Sequence, residues 1–324
     1  VETLAVYAKP GGTYSMFGAA NTSIYDVTTA GAVGAAVQTG LSNARFQSVN
    51  FATTGGNYLY MVNGADSPRL WDGTTWTAVT GVSTPAITGV TTANLVHINV
   101  FQRRLWFVEK NSMKVWYLPV QSIGGAAQSF DLSSLFGQGG YLQAMGTMSM
   151  DSGNGMDDHA VFISSEGEIA IYKGYDPSSA ATWYLVGVFS VGSPVGRRCF
   201  AQFGADVLII SRDGLLPMSK ALLTARSNSS IAITDKIQQA ISQSTSDYGT
   251  QFGWETTIFP EENLLVPVLT TTVWRRCLMP MATCAGCRTA MAWPTSTPAR
   301  PSVGCTRWAP RKWCTATRIG QAAA

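Results

Sequence analysis

Residues 58–76 read YLYMVNGADSPRLWDGTTW: an apolar run, an Asn-Gly pair, then a second run carrying Trp71. The first run is aromatic and β-branched enough for a half-buried pleated surface, and Asn63-Gly64 tolerates the positive φ that tight turns demand. The stretch predicts a β-hairpin.

Weaker copies recur along the chain. Tyr58-Leu-Tyr-Met-Val-Asn-Gly is echoed by Leu105-Trp-Phe-Val-Glu-Lys-Asn, by Val161-Phe-Ile-Ser-Ser-Glu-Gly and by Val207-Leu-Ile-Ile-Ser-Arg-Asp-Gly. Each is followed by a second strand, at Leu70-Trp71-Asp72, Val115-Trp116-Tyr117-Leu118, Ile169-Ala-Ile-Tyr172 and the poorer Leu215-Leu-Pro-Met218. A looser copy starts at Tyr14 and a truncated one at Leu264, so successive starts lie 44, 47, 56, 46 and 57 residues apart. A further alternating strand precedes most hairpins, at 45–53, 95–102, 143–150, 197–204 and 251–259.

Three or four short strands per unit at this period are the mark of a β-propeller blade, and such units bury both sheet faces only by stacking radially. A large β-sandwich also gives many short strands but predicts no such repeat. The expectation is an all-β propeller of about six blades over residues 1–273, with hairpins near 14–27, 58–76, 105–118, 161–173, 207–220 and 264–268. One segment breaks the pattern. Residues 231–244 place Ile233, Ile237 and Ile241 at i, i+4 and i+8, with Thr234 or Asp235 placed to cap a short helix.

Composition agrees with a large core: 324 residues, 46% apolar and 13% charged, with 32 Gly for turns. No apolar run reaches the roughly 18 residues of a membrane span, and no basic-then-apolar leader is visible, so a soluble chain without a secretion signal is expected. The chain begins at Val1 rather than Met, which reads as a missing or processed N-terminal segment. Its net charge of +3 hides an asymmetry. Residues 274–324 hold 8 of the 22 basic residues and no acidic one, leaving 14 basic against all 19 acidic residues in the body, a net of −5.

That tail also holds Cys277, Cys284, Cys287, Cys305 and Cys314, five of the six cysteines, with no 2.0 or 3.6 period. Three readings stay open. An out-of-frame translation would replace the natural end of the last blade and would explain an abrupt change inside a structural unit. Zinc could be held by Cys277, Cys284, Cys287 and Cys305, although a paired second CxxC and any tail histidine are lacking. A disulfide module would need an oxidising compartment.

The catalytic inventory is thin. The most polar loop of the body carries Asp151, Asn154, Asp157 and Asp158, oxygen ligands for a hard cation in principle, but without EF-hand spacing; a solvated turn is the blander reading. His97 alternates within a strand and reads as a strand-face or core histidine, and His159 follows the acidic pair. Cys199, after Arg197-Arg198, could have a depressed thiol pKa or be a buried, inert Cys, the blander alternative. No phosphate-binding Gly loop, GxSxG, HExxH or dinucleotide fingerprint occurs, so no cofactor and no catalytic residue is expected. Arg103-Arg104 and Arg197-Arg198 read as equivalent pairs near hairpin-leading strands, too few in an acidic body to form a nucleic-acid stripe. Trp71, Trp76, Trp106, Trp116 and Trp183 could stack sugars, but their recurrent strand positions favour packing between blades.

The repeated apolar strand, Asn-Gly or Asp-Gly turn and Trp or Tyr strand, with Gln47-Ser-Val-Asn-Phe-Ala before the first hairpin and Phe101-Gln-Arg-Arg-Leu-Trp-Phe after it, resembles bacteriophage tail proteins. The nearest likeness is to the nozzle, or tail hub, of short-tailed phages. Ile233-Thr-Asp-Lys-Ile-Gln-Gln-Ala-Ile and Trp254-Glu-Thr-Thr-Ile-Phe-Pro-Glu-Glu-Asn-Leu-Leu-Val look like that family's late helix and strand. The resemblance covers about residues 11–268, and the tail departs from it. It implies a non-enzymatic virion component, assembled in the host cytoplasm as a homo-hexameric ring. Its partners would be the portal and adaptor ring, tail fibres and a needle or plug, with double-stranded DNA passing through. The alternative is a propeller binding module for a cell-surface glycan or a protein partner; an enzyme is third, resting on the acidic loop.

Overall fold

In the computed structural model of the chain, which describes residues 1–9, 11–151, 156–221, 232–259, 264–268 and 317–318, five antiparallel sheets follow one another as the blades of a β-propeller. The first blade orders β1 (Thr3–Lys9), β2 (Thr13–Ala20), β3 (Ser23–Asp26) and β4 (Ala36–Gln38); the second orders β5 (Gln47–Thr53), β6 (Gly56–Val62), β7 (Arg69–Trp71) and β8 (Trp76–Ala78). A short β9 (Ile87–Thr88) leads to the third blade, β10 (Leu95–Phe101), β11 (Arg104–Glu109), β12 (Lys114–Tyr117) and β14 (Gln128–Asp131). Between its last two strands, β13 (Gly125–Ala126) pairs parallel with β9. The fourth is β15 (Leu142–Asp151), β16 (Met156–Ser164), β17 (Glu168–Gly174) and β18 (Trp183–Ser190). The fifth has three strands, β19 (Phe200–Phe203), β20 (Asp206–Ser211) and β21 (Gly214–Pro217). The first strands meet: β10 packs against β5 on one side and β15 on the other, and β15 against β19.

The apolar runs are continuous rather than alternating because the second strands of blades two to five are sealed on both faces. Side chains alternate along a strand, so consecutive residues enter different interfaces. On β6, Leu59 and Met61 join a cluster with Ala5, Phe17 and Ile24 of blade one, while Tyr60 and Val62 join Ile98, Leu105 and Phe107 of blade three. On β11, Leu105 and Phe107 face blade two, and Trp106 and Val108 face Met145, Phe162 and Tyr172 of blade four. On β16, Ala160 and Phe162 turn back to blade three, and Val161 and Ile163 meet Cys199, Val207 and Ile209 of blade five. The far face of blade five, Leu208 and Ile210, is covered by Trp254, Ile233 and Tyr248.

The sequence spacing predicts about six blades, and the structure builds five. The sixth repeat reduces to the antiparallel hairpin of β22 (Glu255–Phe259) and β23 (Leu264–Val268), with the two-residue β24 (Thr317–Arg318) paired to Leu264 and Leu265. Most of the residues after 268 lie outside the described set.

Two local expectations also shift. Asn63-Gly64 does not close a two-residue hairpin; six residues separate β6 from β7, and the tight turn lies before β6, where Thr53 pairs with Gly56. Asn63 is buried and organises the longer loop instead, its Oδ1 accepting the N–H of Ala65 (3.0 Å) and Asp66 (2.8 Å) while its Nδ2 donates to the Asn43 carbonyl (3.1 Å). Gly64 has φ +71°, and a Cβ there would collide with Val96 of the next blade. The helix expected at 231–244 starts later. A 3₁₀ turn spans Asp235–Ile237 and α2 spans Gln238–Tyr248, following the single-turn α1 (Met218–Ala221). Thr234 makes no cap; its Oγ1 accepts the Leu215 N–H (3.1 Å), which ties the turn to β21.

Candidate functional site

The outer edge of blade four differs from the outer edges of blades one to three. Blades one and two end in three-residue strands, and the edge strand of blade three carries Gln128 and Asp131. By contrast, β18 is eight residues long, Trp183-Tyr-Leu-Val-Gly-Val-Phe-Ser190, without a charge. One side is bonded to β17, and no strand among the described residues pairs with the other. Tyr184 (54%), Leu185 (43%), Val186 (52%) and Val188 (41%) are exposed, with Tyr175 (63%) on the preceding turn. Long apolar edges are ordinarily shortened, charged or covered, because their free N–H and C=O groups template pairing with another chain. Among the described residues, the one blunting device here is a bulge at the register shift opposite Ile171 and Tyr172.

The edge is held in place from below. Trp183 is buried and stacks between Trp106 (centroids 5.6 Å apart) and Tyr172 (5.2 Å), so the start of β18 is anchored in the interface between blades three and four. Of the tryptophans weighed as sugar-stackers, Trp106 and Trp183 are therefore core. Trp71 and Trp76 pack edge-on against Phe17 of blade one, and Trp116 donates to Glu109 (2.9 Å).

A polar clasp joins the ends of the propeller. Arg198 Nη1 donates to Glu255 Oε2 (2.5 Å), and its Nη2 donates to Thr3 Oγ1 and the Phe46 carbonyl, both at 2.8 Å. Arg198 and Arg45 both lie over the Phe252 ring, at 5.1 and 5.2 Å. Arg197 donates to the Asn63 carbonyl (3.3 Å). The two arginine pairs are not equivalent. Arg197-Arg198 precedes a first strand, whereas Arg103-Arg104 spans the turn after one, where Arg103 has φ +58° and Arg104 faces Asp176 at 3.6 Å.

The described residues of the acidic segment, 151 and 156–159, are strand, and 152–155 lie outside the described set. Asp151 ends β15, and Asn154 lies outside the described residues. Asp157 and Asp158 are consecutive on β16 and so point to opposite faces; Asp157 pairs with Lys173 Nζ (2.5 Å), and Asp158 accepts from Ser149 (2.6 Å). Among the described residues no group of three His, Cys, Asp or Glu is placed to hold a metal ion. Cys277, Cys284, Cys287 and Cys305 lie outside that set. His159 is buried, its Nδ1–H donating to the Asp157 carbonyl (2.9 Å). His97 is buried on β10 with Nε2 against the Met145 carbonyl (2.9 Å), and burial drives its pKa down to about 4, with the charge of Arg197 adding to the effect. Burial pushes the Cys199 thiol up to about 12, so it is the inert cysteine of the two readings.

The edge of blade four was not read from the sequence. Its sequence signal is eight residues without a charge after an already complete hairpin.

No protein-family model and no curated protein matches the chain. Solved structures similar to it include BBS1N in complex with ARL6DN (TM-score 0.40, 15% identity, covering 67% of this chain and 64% of that one). Another is the periplasmic gluconolactonase of Pseudomonas aeruginosa (0.41, 18%, covering 63% and 62%). A third is the SapL1 lectin in complex with alpha methyl fucoside (0.35, 17%, covering 67% and 76%). The chain covers less than two thirds of the first two. Among the described residues, no helix is long and apolar enough to cross a membrane.

Proposed function

We propose that this chain is a β-propeller binding module, not an enzyme, and that it docks a protein partner along the outer edge of blade four. The observation that carries this reading is the uncharged, exposed edge of β18 with Tyr184, Leu185, Val186 and Val188. An added strand would satisfy its free backbone groups, and the exposed side chains would select the partner. The propeller body supplies rigidity, because the second strands of blades two to five are committed on both faces.

The second reading is a ring subunit of a phage tail nozzle, resting on the resemblance over residues 11–268. One observation favours it: a second apolar surface. Leu4 and Val6 of β1 and Tyr14 of β2 are exposed on the blade-one side away from blade two. A head-to-tail ring needs two different patches on each copy. The same exposed face fits a sixth blade begun by β22 and β23, which would stand between blade five and blade one.

Sedimentation velocity of the full chain and of a Val186→Lys, Val188→Lys double variant separates the two. A ring that the variant dissolves supports the phage reading. A monomer in both, with an edge-dependent cross-link from position 184 to another protein, supports the partner-binding reading. Absence of both contradicts the role given to this edge.

A further inference from the structure

Two cations at one end of the propeller axis, Arg197 and Lys110, form no ion pair with any described carboxylate. Arg197 precedes β19 of blade five, yet its Nη1 donates to the Asn63 carbonyl of blade two (3.3 Å). Those blades are not neighbours, so the contact crosses the mouth of the ring. Lys110 follows β11 of blade three, and its Nζ donates to the next carbonyl along, that of Gly64 (3.4 Å). Gly64 leaves the guanidinium its room, because a Cβ there would come within 3.3 Å of Arg197 Nη1. Arg45, just before β5, is near enough for its charge to act on Arg197.

Four cations therefore gather at this mouth: Arg45, Lys110, Arg197 and Arg198. Among the described residues, Arg45 is paired with Glu2 (3.4 Å) and Arg198 with Glu255 (2.5 Å), which leaves the charges of Arg197 and Lys110 uncompensated. Each of these two groups has N–H donors beyond the one used on a carbonyl. Those donors are open to solvent: none of the sealed, partnerless side-chain atoms among the described residues belongs to either. Arg197 is half-buried and Lys110 is exposed. Burial holds the Arg197 pKa below the usual guanidinium range, with Tyr141 opposing the shift and Arg45 adding to it. A cation that has lost part of its water is ordinarily paired.

The chemistry of the missing partner follows from the count. It must only accept hydrogen bonds, and two uncompensated positive charges match a dianion. A carboxylate brings a single negative charge, whereas a phosphate monoester brings about −1.5 to −2 at neutral pH, with acceptor oxygens enough for a guanidinium and an ammonium together. A polynucleotide fits less well, because the net acidic body would repel the rest of the strand.

We propose that the axial mouth between Arg197 and Lys110 binds a dianionic phosphate group, free or esterified on a small molecule, with Arg45 adding longer-range attraction. This site is separate from the edge of blade four, and either can fail without the other.

The test is calorimetric titration of the full chain, at low salt and slightly alkaline pH, with inorganic phosphate, glycerol 3-phosphate and acetate. Saturable binding of at least one phosphate, tighter than acetate, is expected, and the tighter of the two phosphates identifies the free or the esterified form as the ligand. Arg197→Gln should weaken that binding roughly tenfold, the loss of about 1.4 kcal/mol, and Lys110→Gln should weaken it severalfold. Lys110 is exposed, so its variant tests the site even if Arg197→Gln disturbs the fold, which thermal unfolding checks. Arg103→Gln removes an equal charge at the opposite end of β11 and should leave affinity unchanged. No saturable phosphate binding, acetate bound as tightly, or equal weakening by Arg103→Gln would overturn the proposal.

Discussion

Leu59 and Tyr60 are neighbours on β6, both sealed from solvent, yet they belong to different interfaces, Leu59 to that with blade one and Tyr60 to that with blade three. This division of adjacent residues is what makes a propeller from repeated hairpins, and it ranks positions by cost. Phe107, fully buried between blades two and three, should lose about 3–5 kcal/mol on replacement by alanine. Leu4→Ala, on the exposed face of blade one, should stay within about 0.5 kcal/mol. Urea denaturation of the two variants makes the comparison; a costly Leu4→Ala would mean that a further element covers that face.

The Arg198 clasp predicts a local effect. Arg198→Met removes donors to Thr3, Phe46 and Glu255 and should cost about 1.5–3 kcal/mol, the range for a hydrogen bond from a charged group. Hydrogen exchange should rise in β1 and around residue 46, with β16 and β17 unchanged. Uniform acceleration across all blades would show that the clasp is not a local tie.

Much of this architecture was legible in the sequence because burial on two faces writes itself as an unbroken apolar run: residues 58–62, 105–108, 161–163 and 207–210 each lie in the second strand of a blade. Turn identity was less legible. Asn63-Gly64 carries the strongest hairpin signal, yet Asn63 is buried and bonds to Asn43, a contact that pattern alone does not show. The helix began late because Thr234 bonds to β21 rather than to the helix start. A pocket lined by Gln47, His97 and Thr256 was illegible for a similar reason. Gln47, His97 and Thr256 come from three strands far apart in sequence, and only the convergence of first strands brings them together.

His97 makes stability depend on pH. Its folded pKa of about 4 lies below the unfolded value near 6.5, so the folded state resists protonation. The contribution is fully present above pH 6.5 and is lost as pH falls toward 4, on the order of 3 kcal/mol in all. Denaturation midpoints measured across that window should drop for the native chain and drop less for His97→Gln. Parallel curves for the two would show that other groups govern the acid limb.

Cys199 sits between blades four and five with its thiol pKa pushed up to about 12. Alkylation mapped by mass spectrometry should leave the Cys199 peptide unmodified in the native chain at neutral pH and label it fully in denaturant. Rapid native labelling would contradict the sealed interface.

The most direct test of partner docking is a photo-cross-linking residue placed at Tyr184 and activated in the cells that naturally make the chain. One dominant protein adduct is predicted, which disappears when Val186→Lys and Val188→Lys are introduced without loss of fold. No adduct, or one that survives those two lysines, would contradict the role assigned to the edge of blade four.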